Sequence, residues 1–467
     1  MVIIMGVNIP YFNSDNIILN RAARIAAGDI AANCIPFKYG LLTEEKTCIM
    51  AGLDYDTPWT RDAAINTMNA ICISDKEVAY NTLLSVCEEK QGKTYIGGQY
   101  WDAIIWAIGA WQYYLVNTEK DFLKFASNTI ANTLEKLENE EFDVDEGLFC
   151  GPAVYGDGVA AYPNKYGVIR HHHTGILSWP EYNQEKCNTK GYGIPMKVLS
   201  TNCIYYAAYM IEAKMCAILG HDSNSYLCKA QTLKEKINNK FWNKETGRYD
   251  YLFDNEIRCD SAEALGLSFA ILFGIADKEK CESIIKNTYV TDHGMACVWP
   301  SFERYRVGNN YGRHSGTVWP HAQGFWALSM LKSGNCSGFE KELFLMANKS
   351  NRDMQFAEIY HPKTGEVYGG VQEKLKNGIS VWNSCKKQTW SATAFWSLIY
   401  YGLFGLEYGE KAIKVKPYMP LSVDYMELKN LKIGKADITI IADKYVSYPY
   451  EITIPKDLEG QHKFFVR

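Results

Sequence analysis

Five segments of the sequence place aromatic and ionisable side chains in a loop directly before an apolar, helix-like stretch. They are residues 55–62, 97–102, 145–158, 311–321 and 358–366, the last followed by residues 388–392. Carboxyl groups in such loops can transfer protons, and aromatic, arginine and histidine side chains can hold a polar substrate. We predict that these helix starts, although distant in sequence, converge on one end of the fold and form one site.

Each carboxyl group also has an ordinary structural explanation. Asp62 fits an early-helix carboxylate near the helix dipole, and Asp102 fits a helix N-cap. Asp157 lies between two glycines and fits a turn. Glu358 fits an exposed loop residue, because most glutamates are exposed. The functional interpretation therefore depends on the pattern that the segments share.

The composition adds a second indication of the substrate class. Aromatic residues make up 13% of the 467 residues, with 32 Tyr and 12 Trp. Both side chains combine a flat apolar face with a polar edge, as sugar rings do, so carbohydrate sites are often lined with them. A large aromatic core is the alternative explanation, and composition alone favours it.

Charge and hydropathy exclude several classes of partner. The net charge is −4 and no basic stripe is present, which argues against nucleic-acid binding. The longest uncharged stretch, residues 388–406, is interrupted by polar residues and Gly402, so no membrane span is expected. The 14 scattered cysteines indicate reduced thiols, and we expect a cytoplasmic protein. The sequence does not indicate an oligomeric state.

Hydrophobic periodicity predicts a mainly α-helical fold. Amphipathic stretches such as residues 120–138 alternate with stretches that are apolar on several faces, such as residues 262–273 and 391–406. Two concentric rings of helices would give this pattern. After about residue 410 the pattern changes to short strands. We therefore expect three parts, which are an N-terminal lead-in (1–40), a helical catalytic domain (41–409) and a small strand-rich C-terminal appendage (410–467), which N-terminal strands would join.

The order and the residues of these segments resemble those of the (α/α)6-barrel, six-hairpin glycoside hydrolases. The similar group contains the processing α-glucosidase I and mannosylglycerate hydrolase, with trehalases and glucoamylases more distant. The resemblance covers roughly residues 40–410 and is most specific at residues 358–366 with Trp390-Ser391-Ala392. It also rests on residues 59–62, 147–158 and 316–320.

The resemblance implies roles for particular residues. Glu358 falls on the general base and Asp157 on the general acid of the family. The family's acid segment usually reads Glu-Ser-Gly-Trp-Asp, whereas residues 153–157 read Ala-Val-Tyr-Gly-Asp, so Asp102 and Glu146 stay open as alternatives. The predicted substrate contacts are Trp59, Arg61, Asp62, Gln99, Trp101, Asp102, Tyr155, Arg313, Trp319, His321 and Trp390.

The expected activity is hydrolysis of a terminal, α-glucoside-like sugar with inversion, without a metal or cofactor. Inversion needs two carboxyl groups about 6.5–9.5 Å apart, and we expect burial against Tyr155 to keep Asp157 protonated. A phosphorylase using Arg313 and His314, or a sugar-binding protein without activity, are the alternatives. The run of residues 171–173, all histidine, suggests a metal site only weakly, because consecutive side chains rarely face one ion.

Overall fold

A computed structural model describes residues 3–4, 7–98, 100–167, 174–306, 308–374 and 378–467. Helices dominate these ranges. The long helices, in chain order, are α1 (Ile17–Ala32), α2 (Thr60–Asn66), α3 (Lys76–Ser85), α4 (Trp106–Asn117), α5 (Lys120–Glu141), α6 (Leu199–Leu219), α7 (Asn224–Phe241), α8 (Ala264–Leu272), α9 (Lys278–Asn287), α10 (Pro320–Lys332), α11 (Cys336–Asp353) and α12 (Thr389–Ser397). α2 continues through Thr67–Ile71 to Cys72–Ser74, and α12 continues as a π-helix at Leu398–Leu403.

The even-numbered helices form an inner ring. Each packs against the next even-numbered helix, and α12 returns to pack against α2. These helices are buried on nearly all sides, as their apolar sequences predict, and every residue of α12 is buried. The odd-numbered helices lie outside and bury one face only. In α9, for example, only Ile284 is buried.

The two sets of helices begin differently. Four outer helices have a side-chain cap, from Asn16, Asp75, Asp277 and Asn335. None of the inner helices has a side-chain hydrogen bond from its N-cap residue in the described chain. The first N–H groups and the positive dipole ends of the inner helices therefore face the loops that precede them.

The connections from outer to inner helices gather at the end where the inner helices begin. Four of them contain an antiparallel strand pair, which are Cys34–Phe37 with Lys46–Ile49, Cys87–Lys90 with Lys93–Ile96, Phe142–Asp143 with Leu148–Phe149, and Trp242–Asn243 with Arg248–Tyr249. Further short strands at Lys197–Val198, Leu252–Phe253, Arg258–Cys259, Ala262–Glu263, Val298–Trp299, Val371–Lys374 and Gly378–Val381 pair among these loops. The returns from inner to outer helices are short turns.

Strands follow the last helix, as the sequence predicts. One sheet has the order Glu459–Val466, Lys435–Asp443, Tyr425–Ile433 and Tyr11–Ser14, with the first pair parallel. Another contains Leu406–Tyr408, Ala412–Val415 and Ile452–Pro455, and Ile3–Ile4 pairs with Val7–Asn8. The N-terminal segment thus contributes a strand to the C-terminal sheet. It also supplies α1, which packs on α11 and α12, so the expected boundary at residue 40 separates α1 from helices that it contacts.

Two further expectations concern the whole chain. None of the described helices combines the length and apolar character that crossing a membrane requires. All 14 cysteines lie in the described ranges and are free thiols, most of them buried or half-buried.

Candidate active site

A cavity of about 300 Å³ lies where the inner helices begin. Residues from segments that are far apart in sequence line it. Those among the sequence-predicted residues are Trp59, Arg61, Asp62, Tyr155, Asp157, Arg313, Trp319, Glu358 and Trp390. Arg61, Asp62 and Trp390 belong to the first turns of α2 and α12, and Trp319 is the residue directly before α10. The convergence of helix starts on one site, predicted from the sequence, is therefore what the fold produces.

Glu358 is held by three hydrogen bonds. Its Oε2 accepts from Arg313 Nη2 at 2.7 Å and from the Cys385 N–H at 3.0 Å, and its Oε1 accepts from the Tyr55 hydroxyl at 3.1 Å. The carboxyl group is buried, with only 2% of the residue exposed. Arg313 is itself fixed, because its Nη1 donates to the backbone carbonyls of Gly369 and Asn383. These contacts define one orientation of the Glu358 carboxylate at the cavity wall.

Asp157 lies in a tightly held loop on the cavity wall. Its backbone carbonyl accepts from Ile176 N–H at 2.7 Å. Its carboxylate receives Arg61 Nη2 at 3.2 Å and lies 3.6 Å from His314 Nε2. The neighbouring Gly158 admits this packing, since a Cβ there would lie 2.4 Å from Gln372 Oε1.

The charges around Asp157 correct one prediction. Burial raises the pKa of Asp157, but the Arg61 guanidinium, and after it His314 and Arg313, lower the pKa by more. The pKa of this carboxyl group therefore lies below its ordinary value of 3.8. The prediction that burial against Tyr155 keeps Asp157 protonated is wrong for the free protein, because the sequence did not reveal how closely Arg61 approaches.

A third carboxyl group at the cavity, Asp62, shows the opposite effect. Only 3% of Asp62 is exposed. Burial raises the pKa of Asp62 well above its ordinary value, and the lowering effect of Arg61 is opposed by the carboxylates of Glu358, Asp102 and Asp157. Asp62 is therefore the cavity carboxyl group that the surroundings favour in its neutral form, which donates as well as accepts a hydrogen bond.

Aromatic side chains form one wall of the cavity. The Tyr155 ring makes edge contacts with Trp319 and Trp390, with centroids 5.2 and 6.0 Å apart. His314 stacks on Trp319 at 4.9 Å. Both Trp59 and Tyr155 have positive backbone φ, at 51° and 54°. Non-glycine residues adopt this conformation at a cost of about 1–3 kcal/mol, and it is enriched in functional sites.

Some predicted contacts lie behind the cavity wall and do not line it. Asp102 is buried, accepts the Tyr155 N–H at 3.0 Å and lies 3.7 Å from Arg61 Nε, so it positions two residues of the wall. Trp101 is fully buried against Tyr100. His321 is fully buried and stacks on Trp390 at 4.0 Å, because it points into the helical core from the first turn of α10.

Two further sequence-based candidates are placed elsewhere. Glu146, an alternative acid, lies away from the cavity and pairs with Lys240 at 2.7 Å. Asp102, the other alternative, is separated from the cavity by the residues that it supports. Gln99 lies outside the described residues, as do the histidines at 171–173.

Several lining residues were not assigned a role from the sequence. Tyr55 and Gln388 belong to the loop segments described above, so proximity to a motif is the available signal, and His314 has a sequence-based role only in the phosphorylase alternative. Gln372 belongs to the strand Val371–Lys374, and Trp382 directly follows its partner strand, Gly378–Val381. No sequence pattern marks either residue. In the part of the chain that the structure describes, no cluster of three His, Cys, Asp or Glu side chains could hold a metal ion.

Comparison with known proteins identifies a family for this chain. Residues 97–391 match the family model of the mannosylglycerate hydrolase MGH1-like glycoside hydrolase domain. No curated protein sequence matches the chain.

Solved structures share the fold at low identity. A structure entitled sialidase has a TM-score of 0.70 at 16% identity over 96% of this chain, which spans only 40% of the length of that chain. The GH63 mannosylglycerate hydrolase from Thermus thermophilus, in complex with glucose, has a TM-score of 0.59 at 12% identity, covering 80% of this chain and 99% of the other. The GH78 family rhamnosidase of Bacillus sp. GL1 has a TM-score of 0.57 at 14% identity over 98% of this chain and 44% of that one.

The family match covers well over half of the 467 residues and includes Asp157 and Glu358. This chain therefore belongs to the mannosylglycerate hydrolase MGH1-like glycoside hydrolase family and is a glycosidase.

Proposed function

We propose that the chain hydrolyses the bond to a terminal, α-glucoside-like sugar of a small oligosaccharide or glycoside, with inversion, on an (α/α)6 barrel. The observation that carries the proposal is that Asp157 and Glu358, distant in sequence, line the same cavity of about 300 Å³. Asp157 is the general acid that protonates the leaving oxygen, and Glu358 is the general base that activates water.

The contacts of Glu358 support the role of base. The Arg313, Tyr55 and Cys385 groups that bind it are all donors, so the carboxylate is oriented as an acceptor. Arg313 also offsets the cost of burying a negative charge. A carboxylate fixed in this way can accept a proton from a water molecule held between it and the sugar.

The surroundings of Asp157 require that its proton affinity change when substrate binds. About a third of its side chain is exposed, at 32%. A sugar that fills the cavity displaces the water that solvates this exposed part, and loss of solvation raises the pKa of a carboxyl group. We propose that Asp157 takes up its proton as the cavity is filled and then passes it to the leaving oxygen.

Polar atoms in the wall support recognition of sugar hydroxyls. Arg61 Nη1, Trp390 Nε1, Gln372 Oε1 and Gln388 Oε1 are buried and have no hydrogen-bond partner within the described chain. Buried polar groups without a partner are costly, so these atoms are suited to a ligand that supplies donors and acceptors. Together with the Trp319 and Trp390 rings they would bind both the edges and the face of one sugar ring.

The phosphorylase alternative finds less support. It needs cationic groups that are free to bind phosphate. The Arg313 guanidinium is already bound to Glu358 and to two backbone carbonyls. Burial lowers the pKa of His314 to about 3, so this imidazole is neutral near pH 7. Both groups contribute to positioning the two carboxylates, which favours hydrolysis.

A panel of aryl α- and β-glycosides, assayed in phosphate-free buffer, tests the proposal. Asp157→Asn and Glu358→Gln should each reduce kcat by at least about 10²-fold on the substrate that is cleaved. The matched control is Asp292→Asn, an exposed aspartate outside the cavity, which should keep full activity. Turnover that depends on added phosphate, or full activity in either cavity variant, would contradict the proposal.

A further inference from the structure

An open groove lies beside the cavity, and Trp59 lines both of them. We refer to it as the Trp59 groove. Phe37 and Tyr39 line it together with Trp59, and Gly97 and Gly98 contribute backbone to its surface. Its volume is about 570 Å³, compared with about 300 Å³ for the cavity. The groove is thus a second binding space that shares a side chain with the candidate active site.

The position of the groove is fixed by the fold. Most of its other lining residues lie beside two strand pairs. They are within residues 38–42, between the paired strands Cys34–Phe37 and Lys46–Ile49, and within residues 85–89, at the first strand of the pair Cys87–Lys90 with Lys93–Ile96. Both pairs connect an outer helix to an inner helix, so they lie at the end where the cavity opens. Thr60 Oγ1 donates to the Gly97 carbonyl at 2.8 Å, which ties the second pair to the start of α2 directly after Trp59. The groove and the cavity are therefore neighbouring spaces with Trp59 in the lining of both.

The side chains of the groove suit a carbohydrate. The rings of Phe37 and Tyr39 are 6.3 Å apart and inclined by 43°, and Tyr39 is 69% exposed. With Trp59 they offer flat apolar faces along the groove. Lys38, Glu88 and Glu89 supply charged donors and acceptors around these faces. Sugar rings present the complementary combination of C–H faces and hydroxyl edges.

We propose that the Trp59 groove binds the sugar rings on the leaving-group side of the cleaved bond, so that the substrate is an oligosaccharide and not the glycoside of a small alcohol. This inference rests on the proposed function, because it requires the cavity to hold the terminal sugar. If one ring fills the cavity, a groove of nearly twice its volume has room for about two more.

The test compares a short and a long substrate that share the terminal sugar. The short one is the p-nitrophenyl glycoside that the unmodified chain cleaves, and the long one is the unbranched tetrasaccharide that ends in the same sugar. In Tyr39→Ala, kcat/KM for the tetrasaccharide should fall about tenfold more than kcat/KM for the aryl glycoside, since an aromatic contact area is lost only for the longer chain. In Tyr39→Phe, the ratio of kcat/KM for the tetrasaccharide to kcat/KM for the aryl glycoside should stay close to that of the unmodified chain, because the flat ring remains. Tyr445→Ala, at an 81% exposed tyrosine outside both spaces, is the control.

A binding measurement gives a second readout. In Glu358→Gln, calorimetry should show weaker tetrasaccharide binding when Tyr39→Ala is added, and unchanged binding of the free terminal monosaccharide. Equal effects of Tyr39→Ala on both substrates, or no effect on either, would overturn the groove assignment while leaving the proposed function intact. If the unmodified chain cleaves no glycoside, the proposed function fails and this inference fails with it.

Discussion

The hydrogen bonds of Glu358 lead to a quantitative ranking of two substitutions. Arg313 Nη2 donates a bond of 2.7 Å to Glu358 Oε2 in which donor and acceptor are both charged. The Tyr55 hydroxyl donates a longer bond of 3.1 Å to Oε1 in which only the carboxylate is charged. A hydrogen bond to a charged group is worth about 1.5–3 kcal/mol. We take the upper end of this range for the short bond between two charged groups and the lower end for the longer bond from the neutral hydroxyl. If these bonds orient the base in the transition state, Arg313→Gln should reduce kcat/KM by about 150-fold and Tyr55→Phe by about 10-fold.

The assay is steady-state kinetics on the best aryl glycoside, with the melting temperature measured for each variant. Arg352→Gln is the matched control, because Arg352 is half-exposed and pairs with Asp353 at 2.7 Å. A loss in the Arg313 variant no greater than in the Tyr55 variant would refute the reasoning. A loss of kcat/KM that simply follows a fall in melting temperature would also refute it, because Arg313 would then stabilise the loop and not orient Glu358.

Three more predictions follow from the carboxyl groups. Because the pKa of Asp157 is lowered in the free protein, kcat/KM should fall as the pH rises from about 4 to about 8. The value of kcat should be maintained to higher pH. A flat profile of kcat/KM up to neutral pH would contradict this prediction. Because Asp62 serves in neutral form, Asp62→Asn should cost less than about tenfold in kcat/KM, and a loss equal to that of Asp157→Asn would transfer the acid role to Asp62. Burial raises the pKa of Glu263 to about 8 from 4.5, so the stability that its neutral form contributes is present below pH 4.5 and lost as the pH rises to 8. Between about pH 5 and about pH 8, the free energy of unfolding in urea should therefore fall by about 3 kcal/mol less in Glu263→Gln than in the unmodified chain. The same pH dependence in both proteins would contradict this prediction.

The arrangement of helices was accessible from the sequence because burial leaves a strong pattern. The inner α8 is apolar except for Ser268, whereas the outer α9 is mostly charged and polar, so the composition of each helix matches its burial. Alternation of inner and outer helices then forces every inner helix to begin at the same end. That geometry brings Arg61, Trp319 and Trp390, each next to a predicted helix start, to one cavity.

The details of the site depend on directions and distances that a sequence does not contain. Trp101 and His321 lie beside helix starts, as the lining residues do, but the rotation of α10 and the loop before α4 turn them into the core. Gln372 reaches the cavity from a short strand pair whose register the local sequence does not mark. The lowered pKa of Asp157 arises from its 3.2 Å contact with Arg61, which lies 96 residues earlier, and only the fold sets that distance.

The configuration of the first product tests the central claim most directly. Early time points of hydrolysis, followed by proton NMR before mutarotation, report the anomer that leaves the cavity. An acid at Asp157 and a base at Glu358 acting through water predict a product of configuration opposite to that of the substrate. A product with the substrate's own configuration would mean that a carboxylate attacks the sugar directly, and the assignment of Glu358 as a base that acts through water would be wrong.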